Sequence, residues 1–133
     1  MPNLPWHIQL AHQAAERLDW GSAHDHVGSL YLGSTAPDIR VMTKLPREHT
    51  HFADLSVEQV GTGARRMFEL HPELADPDSL SPATRAFVLG YISHLVADET
   101  WITTMFRPHF DPQQGDKMIT ATAVEAHIWD RAL

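Results

Sequence analysis

His94 and Asp98 stand four residues apart in the most apolar part of this chain, and they are the pair whose chemistry asks for explanation first. On a helix that spacing turns the chain by about 40° and raises it by about one turn, so both side chains can converge on one point. The stretch beside them, from Ala86 to Ala97, is apolar almost all round, which for a helix means central burial rather than one-sided packing. A carboxylate buried there is costly unless it is paired or coordinates a cation. One reading is an ordinary core histidine satisfied by its neighbour; the other is a metal ion that satisfies both. Ten histidines and no cysteine in 133 residues leave imidazole and carboxylate as the ligands the chain can offer. They exclude disulfides, thiolate zinc sites and iron–sulfur clusters.

The elements that must position such a site read as helices. Leu4 to Leu18 carries apolar residues at helical spacing, with Pro5 near the first turn, and ends at Trp20-Gly21. A short helix is expected from about Asp25 to Leu32, then a turn at Gly33-Ser34-Thr35-Ala36-Pro37-Asp38. From there to about Leu55 there is no periodicity, so this is the longest expected loop, and it carries Asp38, His49 and His51. Ser56-Val57-Glu58-Gln59 has the form of a capping box opening a helix to about Leu70, closed by His71-Pro72. Ser81-Pro82 signals the start of the core helix, from about Ala83 to Phe106. Asp116 to Leu133 reads as a last helix that stops without a capping signal, as a truncated chain would. With no run of period-two alternation and no repeat, the expectation is one all-α domain over residues 1–133, a compact bundle of about five helices.

Ten Lys and Arg against seventeen Asp and Glu give a formal charge of −7, which argues against general nucleic-acid binding. It does not exclude a phosphate substrate, because a bound divalent cation inverts the local potential. The N-terminus lacks the basic and apolar regions of a signal peptide, and no apolar stretch is long enough to span a membrane. A cytoplasmic protein is expected.

Four short motifs carry a likeness. They are Trp6-His7-Ile8-Gln9-Leu10-Ala11, Gly33 to Ile39, His49-Thr50-His51-Phe52-Ala53-Asp54, and Leu89-Gly90-Tyr91-Ile92-Ser93-His94-Leu95-Val96-Ala97-Asp98. In this order they resemble the zinc-dependent phospholipases C and related zinc nucleases, all-α enzymes whose metals lie in a cleft between helices. The third aligns His51 rather than His49 with the family's ligand, and the fourth is the most specific. The resemblance implies that Asp38, His51, His94 and Asp98 surround one Zn²⁺, with Asp98 bridging to a second held by His7. It implies hydrolysis of a phosphoric ester, on a small-molecule or lipid substrate, by metal-activated water with Asp38 as ligand and general base. Imidazole and carboxylate suit zinc, and such sites clamp phosphoryl oxygens.

The chain also departs from the family. Where a third zinc takes a His and a His-x-x-x-Glu, this sequence has Thr104, and Ala121 stands four residues before Glu125. His109 and His127 do not match the spacing and, with His49, are reserve ligands. The shorter length and the missing third site leave an alternative, a non-catalytic metal-binding or scaffold domain that retains the ligands. His24-Asp25-His26 invites a lesser one, an HD-type metal phosphohydrolase that recruits His7 and Asp98. His12, about 140° round the helix from His7, is expected on a polar face or at an oligomer contact. His71 is expected at a helix C-terminus, and Arg65-Arg66 on a solvated face. Core packing is expected of Trp6 and Trp101, with lining of the cleft as their alternative.

Overall fold

The computed structural model describes residues 2–111. The expected last helix, with Ala121, Glu125, His127 and Trp129, lies outside the described residues. Among those described there are helices and turns but no strand, so the fold is all-α.

Helix α1 (Leu4–Arg17) begins where the sequence places it. The Asn3 side chain accepts a hydrogen bond from the Trp6 N–H at 3.2 Å, which satisfies one of the free donors of the first turn. Its buried residues, His7, Ala11 and Ala15, form a single stripe. The chain then turns through Asp19 at φ 49°.

The single helix expected from Asp25 to Leu32 is instead two, α2 (Gly21–Asp25) and α3 (Val27–Thr35), divided at His26. Gly33 does not end α3. It lies inside the helix, where glycine is needed because a Cβ would stand 2.0 Å from the Phe87 carbonyl oxygen. The expected long loop holds three short helical pieces: a 3₁₀ turn at Ala36–Ile39, α4 (Arg40–Thr43) and α5 (Glu48–His51). Left-handed residues stop α4 at Lys44 and α5 at Phe52. Segments this short have no room to display a helical period, which is why the sequence showed none.

Helix α6 (Thr62–Leu70) starts six residues later than Ser56. The expected capping box does not form. The Ser56 amide and hydroxyl both bond the Asp54 carboxylate instead, a local side-chain-to-backbone turn that competes with helix. The cap comes from a distance. Glu99 accepts hydrogen bonds from the Gly61 and Gly63 N–H groups, each at 2.6 Å, and its negative charge suits a helix N-terminus.

Helix α7 (Pro82–Trp101) is capped by Ser81, which accepts from the Thr84 N–H at 3.2 Å. Beyond Trp101 the chain continues as a π-helical segment, Ile102–Phe110, rather than the α-helix expected to Phe106. Pro108 removes one backbone donor there, and the Thr103 and Thr104 hydroxyls bond back to the Glu99 and Thr100 carbonyls.

The core forms on both flanks of α7. Ala86 packs with Ala11, Ala15, Ala23 and Leu30, while Val88 and Leu95 pack with Ala64 and Met67. Two glycines set how closely α3 approaches α7. A Cβ on Gly90 would lie 2.1 Å from the Leu30 carbonyl oxygen and 2.8 Å from the Ser34 nitrogen, so the obstruction is backbone that cannot rotate aside. Gly90→Ala is therefore expected to cost about 3 kcal/mol or more in urea denaturation, at the upper end of overpacking effects. A loss below about 1 kcal/mol would mean that the two helices do not need this approach.

Candidate metal centre

Five side chains that the sequence singles out meet at one place. His7 comes from α1, Asp38 from the 3₁₀ turn, His51 from α5, and His94 and Asp98 from α7. All are buried except Asp38, whose side chain is 30% exposed. The His51, His94 and Asp38 atoms Nε2, Nε2 and Oδ1 are separated by 3.2, 3.5 and 3.7 Å. Donors bound to one zinc in a tetrahedron stand roughly 3.3–3.6 Å apart, so the trio has the spacing of ligands around an ion. Asp98 Oδ2 lies 3.2 Å from His51 Nε2 and 3.6 Å from His94 Nε2. Its Oδ1 lies 3.2 Å from His7 Nε2. Two overlapping groups result, His7 with His94 and Asp98, and Asp38 with His51 and His94.

Neighbouring backbone fixes which ring nitrogen faces the cluster. The Ser34 carbonyl stands 2.7 Å from His94 Nδ1. A carbonyl only accepts, so Nδ1 carries the hydrogen and Nε2 of the neutral ring presents a lone pair. That contact depends on the close approach at Gly90. His51 Nδ1 is held by the Thr50 hydroxyl at 3.0 Å, and the Thr50 carbonyl accepts from the Tyr91 hydroxyl at 2.6 Å. Burial pushes Tyr91 up to about 12, so it stays a neutral donor and ties α5 to α7. The His7 and His94 rings stack with centroids 3.6 Å apart.

What converges is a set of acceptors: two carboxylates and the inward Nε2 atoms. His7 Nδ1 is buried without a hydrogen-bond partner, and His7 Nε2 and Asp98 Oδ1 have only each other, at 3.2 Å. A buried carboxylate ringed by imidazoles calls for a proton or another cation. In the protein without metal a proton takes that part. Burial disfavours the His94 cation, but hydrogen bonds to Asp38 and Asp98 and their charges outweigh it and lift His94 to about 9. Burial alone would raise Asp98; the imidazoles of His51, His7 and His94 drive it far below the usual carboxylate range. Asp38 moves the same way, with His94 overcoming its burial. His51 is lowered, chiefly by burial.

Arg47 is a site residue that the sequence reading missed. Its Nη2 donates to Asp98 Oδ2 at 2.8 Å, with both side chains nearly buried. It stands four residues before His51, and the His51 N–H bonds the Arg47 carbonyl at 2.8 Å. The signal was therefore a helical spacing hidden inside an expected loop. Of the reserve ligands, His127 lies outside the described residues and the other two do not join. His49 is exposed on α5, and neither it nor His109 belongs to a metal-type group among the described residues. His24 and Asp25 are exposed on α2 and His26 follows them, away from any such group. The HD-type arrangement is therefore not assembled. His12 bonds the Tyr31 hydroxyl at 3.0 Å and approaches Glu16 at 3.4 Å, as a polar-face residue does. Trp6 is 53% exposed rather than packed in the core. With Trp101 it lines an apolar groove of about 810 Å³ between α1 and α7, and none of the five site residues lines that groove.

The fold and the site define an all-helical protein with a thiol-free, histidine and carboxylate centre of the metal-binding kind. The chain belongs to the zinc-dependent phospholipase C family, whose model matches residues 6–129. No curated protein and no solved structure matches the chain. No helix among the described residues is long and apolar enough to cross a membrane.

The direction of the His94 shift fixes a pH dependence for chelator-treated protein. A histidine raised on folding contributes stability that is complete below its ordinary value near 6.5 and disappears as pH rises through about 9. Asp98, held low, contributes above the ordinary carboxylate value and loses its contribution only in acid. Thermal or urea melts should show the stability of the metal-free protein falling by about 3 kcal/mol between pH 6.5 and 9. A metal ion taken up through His94 Nε2 would have to displace this proton, so stabilisation by added zinc should be larger at pH 8 than at pH 6. A metal-free stability flat across this range would contradict the ion-paired His94.

Proposed function

We propose that this chain is a zinc-dependent hydrolase of phosphoric esters, a phosphodiesterase of the phospholipase C type acting on a lipid or small-molecule substrate. The observation that carries the reading is the convergence of His51, His94, Asp38 and Asp98 on one point, with His7 Nε2 3.2 Å from the other oxygen of Asp98. In this reading Asp38, His51, His94 and Asp98 are zinc ligands, and His7 lies on the far side of Asp98. Zinc held by these residues supplies Lewis-acid polarisation of a phosphoryl oxygen and activation of water.

The chain's own residues do the rest. His51 and His94 are locked by Thr50 and by the Ser34 carbonyl, so neither ring must reorganise on binding. Their burial, with that of His7 and Asp98, keeps bulk water from the inner side of the cluster. Asp38 is the member open to solvent, on the side from which a substrate can enter. It is held ionised at neutral pH. With Oδ1 turned toward the two histidines, its second oxygen is the acceptor for the proton of the attacking water.

The decisive comparison uses a soluble phosphodiester and a phosphatidylcholine dispersion as substrates for zinc-saturated wild type and Asp38→Asn. Turnover should fall by about 100-fold or more in the variant, the range expected on loss of a general base. Zinc saturation separates this loss from a loss of metal. Wild-type protein that binds zinc yet shows no Asp38-dependent turnover would instead be a metal-binding domain without catalysis.

A further inference from the structure

The two metal-type groups have one member in common, His94. Its Nδ1 is committed to the Ser34 carbonyl, so only the Nε2 lone pair remains, and one lone pair binds one ion. Nε2 points to His51 Nε2 at 3.2 Å and Asp38 Oδ1 at 3.5 Å. Once an ion takes His94 with these two, the other group is reduced to His7 and Asp98. Two ligands fall short of the three protein ligands that open zinc sites require.

Asp98 is also not a free ligand. Its Oδ2 already accepts a charge-assisted hydrogen bond from Arg47 at 2.8 Å, and that pair is nearly buried. Among the described residues, the charges at the centre are two carboxylates and one guanidinium. One divalent ion added to these leaves a single net positive charge, whereas a second would raise it to three in a buried space.

We infer that the centre holds one zinc ion, on Asp38, His51 and His94, and that the Arg47 guanidinium on Asp98 takes the place of a second metal cation. This rests on the zinc-binding part of the reading above, narrows its ligand set by giving Asp98 to Arg47 instead of to the ion, and adds the ion count. His7 then positions Asp98 from the side opposite Arg47 and is not needed to hold the ion tightly.

The test is calorimetric titration of chelator-stripped full-length protein with zinc chloride, with metal content after desalting as a second readout. Wild type should bind one equivalent tightly. His7→Ala should still bind one equivalent, with affinity lowered by less than about tenfold, whereas His51→Ala should lose at least about 100-fold, as loss of a ligand would. Arg47→Met removes the charge and should reveal a second, weaker equivalent; Arg47→Lys keeps the charge and should remain at one. Two tight equivalents in wild type would overturn the inference and leave the zinc reading standing. An unchanged single equivalent in a folded Arg47→Met protein would overturn the role of Arg47. No binding at all in wild type would sink the zinc reading itself.

Discussion

Everything at the centre of this protein follows from gathering hydrogen-bond acceptors where water cannot reach them. Asp98 and the imidazoles of His7, His51 and His94 are almost wholly buried, and the Nε2 atoms of His51 and His94 face each other across 3.2 Å. Such an arrangement is repulsive unless a positive charge sits within it. Protonated His94 and Arg47 provide that charge in the absence of metal, and the same geometry suits a metal ion. The cluster is thus held together by positive charge, which its own side chains supply when no metal is bound.

The surrounding fold serves to keep those lone pairs aimed inward. Close packing of α3 on α7, permitted by glycine at positions 33 and 90, brings the Ser34 carbonyl to His94 and so decides its tautomer. The Tyr91 hydroxyl holds the Thr50 carbonyl, and the neighbouring Thr50 hydroxyl orients His51. Glu99, next to Asp98 in the chain, faces another way and anchors the start of α6 through Gly61 and Gly63. Gly63 has to be glycine there, since a Cβ would meet the His51 carbonyl at 2.5 Å and the Glu99 carboxylate at 2.7 Å. Two adjacent buried acids on α7 therefore do different work, one at the site and one in holding the helix that packs beside it.

A protein with a formal charge of −7 places one of its few cationic side chains against its most buried carboxylate. Net charge describes the surface, while the site is governed by a handful of groups at contact distance, where low dielectric magnifies each one. Asp38 is the member of the cluster that stays partly open to solvent. The centre accordingly has a closed, structurally locked side and one side on which chemistry can take place.

The His94 and Asp98 pair was legible from residue types and spacing, while His7, Asp38 and His51 were brought to it by the resemblance alone. His94 and Asp98 share a helical face whatever surrounds them, their apolar neighbours require that face to be buried, and the absence of cysteine confines the chemistry to imidazole and carboxylate. The all-helical class and the starts of α1 and α7 marked by Pro5, Ser81 and Pro82 followed from local rules of capping and period. Other features were decided only in three dimensions. The cap of α6 is Glu99, some 36 to 38 residues away, so no local pattern could overrule the false capping box at Ser56. Gly33 reads locally as a helix stop, but its role is set by the Phe87 carbonyl across the interface. Arg47 has no motif of its own, and its pairing with Asp98 spans 51 residues. Sequence determines which groups are present and which of them share a helix face; close approach of distant backbones determines which nitrogen points inward and which charge answers which, because those depend on contacts a local pattern does not contain.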